Sequence, residues 1–438
     1  MTSLYRIGAR IKVVLAICII GFYTSCINES KKNKTIEKET EQNQMTAADI
    51  LGNPEYLAIS YGGYRQKSRD KQPTIPQLKE DLKILSAMGI KILRTYNVQM
   101  KYPHASNTLE AIRQLKEEDS SFEMYVMLGA WIDCQNAWTD YEPNHEVEST
   151  ENAGEIDRAV ALANIYPDIV KIIAVGNEAM VRWATSYFVR PNVILKWVNH
   201  LQKLKQVGKL SKDLWITSSD DFSSWGGGDA SYHTKDLEEL IKAVDYISMH
   251  TYPMHNSHYN PAFWITPESE FNLSDSEKIE SAMQRALNFS RTQYDSVSNY
   301  VSSLGVKKPI HIGETGWASV SNGHYGENGS KAADEFKSGS YYKLMRTWTN
   351  SNNISCFYFE AFDEQWKDAN NGLGSENHFG LFKRTGEAKY GVWDLVDKGL
   401  FKGLTRDGNP ISKTFKGNKE ELMKTVSLPP VVYETQAH

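Results

Sequence analysis

Short apolar runs alternate along this chain with longer segments whose apolar residues recur at helical spacing. Runs of four to eight residues rich in β-branched side chains are typical of buried strands in parallel sheets. The pattern predicts eight strands: Leu57–Tyr61, Lys91–Tyr96, Glu123–Gly129, Val170–Gly176, Leu214–Ser218, Val244–His250, Pro309–Gly313 and Ser355–Ala361. Helical spacing between these runs predicts, for instance, helices over 75–88, 155–166, 191–205, 277–304 and 332–350.

This alternation of strands and helices predicts an α/β fold, a single (β/α)8 TIM barrel over residues 49–415. The alternative is a doubly wound open sheet, which carries a glycine-rich phosphate loop after its first strand. Here the first strand ends at Tyr61 and leads into Gly62, Gly63 and Tyr64, an aromatic turn that does not suit phosphate. The barrel is therefore the predicted fold.

The N-terminal segment has the pattern of a targeting signal. Arg6, Arg10 and Lys12 precede an apolar stretch over 13–22 that is short for a membrane span. The small residues before Cys26 resemble the bacterial lipoprotein signal, in which that cysteine is lipidated and becomes the first residue. We therefore predict a signal over residues 1–26 and a lipid anchor at Cys26; the alternative is an ordinary signal peptide with an incidental cysteine.

One segment on each side flanks the predicted barrel. Residues 27–48 are rich in Lys, Glu, Asn and Gln, a composition that predicts a flexible tether. Residues 416–438 are expected to form a C-terminal tail. With the anchor, these segments predict a cell-envelope lipoprotein outside the cytoplasm, on the outer membrane or facing the periplasm.

Composition narrows the partners that the chain can take. The net charge of −5 gives no basic surface for nucleic acid or for an anionic polymer, so a neutral substrate is expected.

Cys134 and Cys356 fall at opposite ends of the predicted barrel, which predicts two free thiols rather than a disulfide.

Two of the predicted strands lead directly into a glutamate. The runs VKIIAVGNE and KPIHIGETGW place Glu178 and Glu314 at strand ends, where α/β barrels carry their chemistry. A single glutamate at such a position is more often a helix cap or a salt-bridge partner. Two of them facing each other across a cleft predict the acid/base and the nucleophile of a retaining glycosidase.

The predicted strand ends together carry a ring of carboxylate, aromatic and amide side chains. Carboxylates supply proton and nucleophile chemistry, and aromatic faces stack on the apolar faces of sugar rings. The ring comprises Tyr61, Tyr64, Arg94, Tyr96, Asn97, Trp131, Asp133, Asn177, Glu178, Asp220, Asp221, His250, Tyr252, Glu314, Trp317, Glu360, Asp363, Glu364 and Trp366.

Six motifs in this order make a specific resemblance. They are ISYGGYR at Tyr61, LRTYN at Arg94, VGNE at Glu178, ISMHTYP at Tyr252, GETGWAS at Glu314 and FEAFDEQWK at Glu360. The set resembles glycoside hydrolase family 17, the β-1,3-glucanases. FEAFDEQWK and the later ENHFGLF are similar to the fungal and bacterial branch of that family.

The resemblance implies a retaining endo-β-1,3-glucanase that acts on laminarin-type glucans, with Glu178 as general acid/base and Glu314 as nucleophile. Asn177 is expected to hydrogen-bond the sugar 2-hydroxyl, and Tyr252 to donate to Glu314. The family's single-chain barrel implies a monomer without a cofactor. Two alternatives stay open, a β-1,3-glucanosyltransferase using the same glutamates and a non-catalytic glucan-binding lipoprotein.

Further substrate contacts are expected from residues for which ordinary structural roles are also plausible. Pairing with a barrel carboxylate explains Arg94 as well as a substrate contact does. The tryptophans could instead anchor loops, and the charged residues near Glu360 could form salt bridges within their loop. His250, His255 and His258 lack carboxylate ligands at usable spacing, so no metal is expected. The predicted substrate-binding residues beyond Asn177 and Tyr252 are Tyr61, Arg94, Tyr96, Trp131, Trp317, Glu360, Glu364, Trp366 and Lys367.

Overall fold

The computed structural model describes residues 45–432, and its centre is a closed barrel of eight parallel strands. Each strand pairs with its neighbours in chain order, and the first pairs with the last, with Ile59 opposite Tyr358. The closed ring confirms the predicted TIM barrel and excludes the open sheet. The strands are β1 (Leu57–Ser60), β2 (Ile90–Arg94), β3 (Tyr125–Ala130), β4 (Val170–Asn177), β5 (Trp215–Asp221), β6 (Ile247–His250), β7 (Ile310–Gly316) and β8 (Cys356–Phe359).

Helices connect successive strands and cover the barrel. Those that begin at Ile75 and Asp275 carry capping boxes, in which the cap hydroxyl of Thr74 or Ser274 accepts from a backbone N–H that the helix leaves unpaired. The α-helices are Ala47–Ile50, Ile75–Ala87, His104–Glu118, Glu151–Ile165, Pro191–Gln206, Lys235–Ala243, Pro253–Tyr259, Asp275–Ser303, Glu335–Ser351, Trp393–Asp397 and Lys419–Met423.

The strands are buried along almost their whole length, so the hydrophobic core fills both the barrel and the space beneath the helices. Cys134 lies just beyond the end of β3 and Cys356 at the start of β8, and both are buried free thiols, as predicted. The fold therefore directs its polar chemistry to the loops that follow the strands.

The packed unit is slightly longer than the sequence predicts at both ends. Thr46 caps the helix Ala47–Ile50, whose Ala47 and Ile50 are fully buried, so the unit begins before residue 49. Beyond residue 415, Leu422 is fully buried, and the Pro430 carbonyl accepts from Thr266 N at 2.8 Å. The segment over 416–430 is therefore held to the barrel unit at Leu422 and Pro430.

Two short antiparallel hairpins extend the loops of the barrel. One pairs Cys134–Gln135 with Asn144–Glu148 after β3, and the other pairs Thr405–Arg406 with Asn409–Pro410 near the C-terminus. Arg406 is buried, and its Nε donates to Asp81 at 2.9 Å, so the second hairpin is held to the helix Ile75–Ala87. Three of these four strands have only two residues, which is too short to show in a hydrophobic pattern, and the fourth, Asn144–Glu148, is mostly polar.

The predicted signal over residues 1–26, with Cys26, lies outside the described residues, as does most of the predicted tether. Within residues 45–432, no helix has the length and apolar character that crossing a bilayer requires.

Candidate active site

Two glutamates meet at the C-terminal mouth of the barrel. Glu314 belongs to β7, and Glu178 directly follows β4. A carboxylate oxygen of each lies within 4.8 Å of the other and of a ring nitrogen of His250. The fourth and seventh strands of the barrel thus bring together the two glutamates that the sequence predicts as a pair.

Glu178 leaves its strand in an unusual backbone conformation. Its φ is 47°, in the left-handed region that residues other than glycine rarely enter, and its N–H donates to the Ser219 carbonyl at 2.9 Å. Such strain costs about 1–3 kcal/mol and persists where the surrounding structure fixes it. Here the hydrogen bond from β4 to β5 fixes the direction in which the acid leaves the barrel.

Three side chains fix both oxygens of the Glu314 carboxylate. The Tyr252 hydroxyl donates to Oε1 at 2.6 Å, the Tyr96 hydroxyl donates to Oε2 at 3.0 Å, and Arg94 Nη1 also donates to Oε2. Burial by itself would raise the pKa of Glu314. The charges of Arg94 and His250 and the hydrogen bonds from the two tyrosine hydroxyls outweigh burial and lower that pKa to about 2. Glu314 is therefore an oriented anion, as a nucleophile must be.

Arg94 connects the nucleophile to the neighbouring amide. It is buried, and while burial lowers the pKa of its guanidinium, the facing Glu314 carboxylate raises it, with a net increase. Its Nη2 donates to Asn177 Oδ1. With its oxygen occupied, Asn177 has its NH2 group left to donate to a substrate hydroxyl.

The sequence places His250 in the ring of strand-end side chains but does not assign it a catalytic role. It is fully buried, with Nδ1 3.1 Å from Glu178 Oε1 and Nε2 2.8 Å from the Ser219 hydroxyl. The imidazole therefore orients the acid as the two tyrosines orient the nucleophile. The signal was present in the ISMHTYP motif, where Tyr252 alone was given a role.

Glu178, His250 and Glu314 have the spacing of a metal-ligand set, but their surroundings do not fit a divalent ion. The Arg94 guanidinium already pairs with Glu314 Oε2, so an added cation would meet a fixed positive charge at short range. The set suits proton transfer and nucleophilic attack.

The residues predicted around Glu360 form one network of hydrogen bonds and ion pairs, in which Lys367 Nζ lies 3.7 Å from Glu364 Oε2. Lys367 donates to Glu360 Oε2 at 2.6 Å, while Glu364 accepts from the Tyr64 backbone at 3.0 Å and from the Trp366 indole at 2.8 Å. The structure therefore brings Glu360, Glu364, Trp366 and Lys367 together at the end of β8. Their contact with substrate stays a prediction.

Tyr61 and Trp317 are not substrate-binding residues, which corrects the prediction for both. The Tyr61 hydroxyl donates to Asp81 at 3.1 Å, on the helix Ile75–Ala87. Trp317 is fully buried, and its indole N–H donates to the Ala332 carbonyl at 2.8 Å. Because side chains alternate along a strand, residues one place beyond an inward-facing position turn toward the helices.

Trp131 lies half-buried beside the loop of Glu178. Its indole N–H donates to Asp133 at 3.2 Å, and its ring centroid is 5.5 Å from that of Tyr187. Unlike Trp317, it is not enclosed in the helix layer.

Comparison with known proteins fits this geometry. Residues 58–380 match the model of the BtgE/BtgC glycoside hydrolase domain. The chain belongs to this glycoside hydrolase family. The match confirms the predicted family-17-like glycoside hydrolase, and it includes both glutamates, Arg94, Asn177 and Tyr252.

Two relatives of this glycoside hydrolase are informative. The chain is similar to the crystal structure of an endo-laminarinase from Formosa Hel1_33_131, with 66% identity and a TM-score of 0.88 over 90% of this chain and 100% of that one. It is also 25% identical over 287 residues to a glucan 1,3-beta-glucosidase of Arthroderma benhamiae, covering 62% of this chain and 73% of the relative. The hydrolase thus shares its whole barrel with the first relative.

Proposed function

We propose that this glycoside hydrolase is a retaining endo-β-1,3-glucanase that cleaves laminarin-type glucans. The observation that carries the proposal is the Glu178–Glu314 pair, with oxygens within 4.8 Å. Retaining enzymes hold their carboxyl groups about 5–5.5 Å apart, whereas inverting enzymes separate them by about 6.5–9.5 Å to admit water. The substrate follows from the 66% identity to an endo-laminarinase.

The reaction proceeds in two displacements. A carboxylate oxygen of Glu314 attacks the anomeric carbon, the bond to the glycosidic oxygen breaks, and Glu178 gives its proton to that oxygen. The leaving chain departs and a glucosyl ester of Glu314 remains. Glu178, now a carboxylate, takes a proton from water, which attacks the anomeric carbon and breaks the ester bond. The product keeps the β configuration, and both glutamates return to their starting states.

The residues around the two glutamates contribute to catalysis because they orient the reacting groups before the substrate binds. Tyr96, Tyr252 and Arg94 hold Glu314 in one orientation, so no reorganisation is needed as charge moves in the transition state. The Asn177 amide is placed to donate to the sugar 2-hydroxyl, a hydrogen bond that strengthens as the ring becomes oxocarbenium-like. His250 orients Glu178 toward the leaving oxygen.

A glucanosyltransferase uses the same two glutamates and delivers the ester to a sugar hydroxyl instead of water. The endo-laminarinase relative favours hydrolysis. A non-catalytic glucan-binding protein has no need of a buried, hydrogen-bonded carboxylate beside a second acid, so the site argues against that alternative.

Laminarin digestion tests the proposal. We expect the wild-type protein to release a ladder of laminarioligosaccharides whose new reducing ends are first β by proton NMR. Carboxymethylcellulose, a β-1,4-glucan, is the matched control and is expected to stay intact. Absence of new reducing ends would contradict the proposal, and an initial α anomer would show inversion. In a parallel incubation with laminarihexaose alone, products longer than the hexaose would show a transferase.

We also propose that the enzyme is a monomer tethered to the cell envelope, outside the cytoplasm, through a lipid on Cys26. The support is the charged, then apolar, then small-residue pattern over residues 1–26. Labelled palmitate is expected to enter the wild-type protein and not Cys26→Ser, which should leave the membrane fraction. Equal labelling of both proteins would contradict the anchor.

A further inference from the structure

Three aromatic rings form a continuous surface in the loops that follow β3 and β4, the second of which begins at Glu178. Trp131 follows β3, Trp138 lies within the first hairpin, and Tyr187 lies in the loop that follows β4. The ring centroids are 5.5 Å apart for Trp131 and Tyr187, 4.9 Å for Trp138 and Tyr187, and 6.4 Å for the two tryptophans. We refer to these three residues as the aromatic ridge.

The outer end of the ridge is unusually open for a large aromatic side chain. Trp138 is 63% exposed, and its backbone has a φ of 62°. Exposing an indole leaves a large apolar area in water, and a left-handed backbone adds strain. Apolar surface that adjoins a cleft marks a ligand-binding site, and a flat indole matches the apolar face of a pyranose.

Several contacts fix the ridge before any ligand binds. The Cys134 N–H donates to the Tyr187 carbonyl at 3.1 Å. The imidazole of His145, on the opposite strand of the hairpin, stacks on Phe188 with centroids 3.7 Å apart, and its Nδ1 lies 2.8 Å from the Phe188 carbonyl. The hairpin is thus held to the loop after β4, and a preorganised surface loses little entropy on binding.

The ridge begins on the Glu178 side of the catalytic pair. Ala130 pairs with Val175 in the barrel, which puts Trp131 at the same level as the end of β4. Tyr187 lies in the loop that follows Glu178, and the Val189 N–H of that loop donates to the Ala179 carbonyl at 2.7 Å, which folds the loop back against the residue after the acid. Burial raises the pKa of the Tyr187 phenol, and the charge of Glu178 raises it further.

The direction of the ridge determines which part of a glucan chain it meets. Glu314 bonds to the sugar that stays, and Glu178 protonates the oxygen that leaves with the departing chain. A surface that extends outward from Glu178 therefore faces the departing chain.

We propose that the aromatic ridge binds the leaving-group glucose units of a β-1,3-glucan, with Trp138 as the outermost stacking face. The inference rests on the proposed glucanase activity and specifies how that site selects long chains. A chain that reaches Trp138 gains a contact that a substrate with a small leaving group does not have.

The test compares Trp138→Ala on two substrates, laminarihexaose and 4-nitrophenyl β-laminaribioside, whose leaving group carries no glucose. Loss of one stacking face is expected to lower the ratio of kcat/KM for laminarihexaose to that for the aryl glycoside about tenfold. Trp138→Phe should recover most of the ratio, because it restores a flat ring.

Tyr141→Ala is the matched control, since Tyr141 is 75% exposed in the same hairpin, and its ratio should equal that of the wild type. Melting temperatures identify variants that fail to fold. An unchanged ratio for Trp138→Ala would overturn the ridge, and so would a greater loss on the aryl glycoside, which would place the ridge on the other side of the cleft. Inactivity of the wild type on laminarin would instead overturn the glucanase.

Discussion

Glu314→Ala is expected to lower kcat on laminarin by at least about 10⁴-fold, because the variant has no group to form the glycosyl ester. Glu178→Ala should also lose most activity on laminarin, since a sugar alkoxide leaves poorly without a proton. The control is Glu420→Ala, which removes an exposed glutamate in the helix Lys419–Met423 and should be as active as the wild type.

Azide distinguishes the two roles. In Glu314→Ala, azide is small enough to occupy the space of the lost carboxylate and displaces the leaving group directly, giving an α-glucosyl azide. In Glu178→Ala, azide attacks the ester that Glu314 has already formed, giving a β-glucosyl azide. Proton NMR of the products reports the anomer. The same anomer from both variants, or near-normal turnover of either variant, would contradict the assigned roles.

Arg94→Gln is expected to move the acid limb of the kcat/KM profile to higher pH and to lower the maximum by about 10²-fold or more. The nucleophile must be ionised, and in the wild type Arg94 helps to hold the pKa of Glu314 at about 2. Without that charge, burial raises the pKa of Glu314, so protonation inactivates the variant at a pH where the wild type is active. The pH profile with an aryl laminaribioside measures the shift.

Arg94→Gln should also lower the stability of the folded protein at neutral pH. A carboxylate whose pKa is lower in the folded than in the unfolded protein stabilises the fold at pH values above its unfolded pKa. This stabilisation is lost as the pH falls toward its folded pKa, so the Glu314–Arg94 pair favours folding near neutral pH. Removing one partner of a buried pair costs about 3–5 kcal/mol, which thermal melts at pH 7 would detect. Arg94→Lys keeps the charge and should shift the acid limb less. An unmoved acid limb in Arg94→Gln would show that Arg94 does not set the ionisation of Glu314.

The barrel could be predicted because its strands are continuous apolar runs, and parallel strands buried on both faces show that pattern clearly. The two glutamates followed from the same pattern, since each directly ends or adjoins such a run. Tyr252 was predicted to donate to Glu314 and does so. Arg94 and Tyr96, predicted as substrate contacts at strand ends, also donate to that carboxylate.

Side-chain direction could not be predicted at the strand ends. Trp317 stands three residues from Glu314, and a strand's alternation turns it away from the mouth toward the helices. Tyr61 turns outward to Asp81 for the same reason. His250 was predicted to lie at the strand ends, but its role could not be predicted, because that role depends on Glu178 and Ser219, which belong to different strands.

The guanidinium of Arg94 has a consequence for how readily this enzyme can change its sugar specificity. One planar group holds both the Glu314 carboxylate and the Asn177 amide, which we propose to donate to the sugar 2-hydroxyl. A mutation at Asn177 that accommodates a C2 epimer such as mannose would also disturb the partner that keeps Glu314 charged. Adaptation toward a hexose with another C2 configuration therefore needs coordinated changes at Asn177 and Arg94. The preference for substrate chain length, in contrast, can change through loop residues that do not contact Glu314.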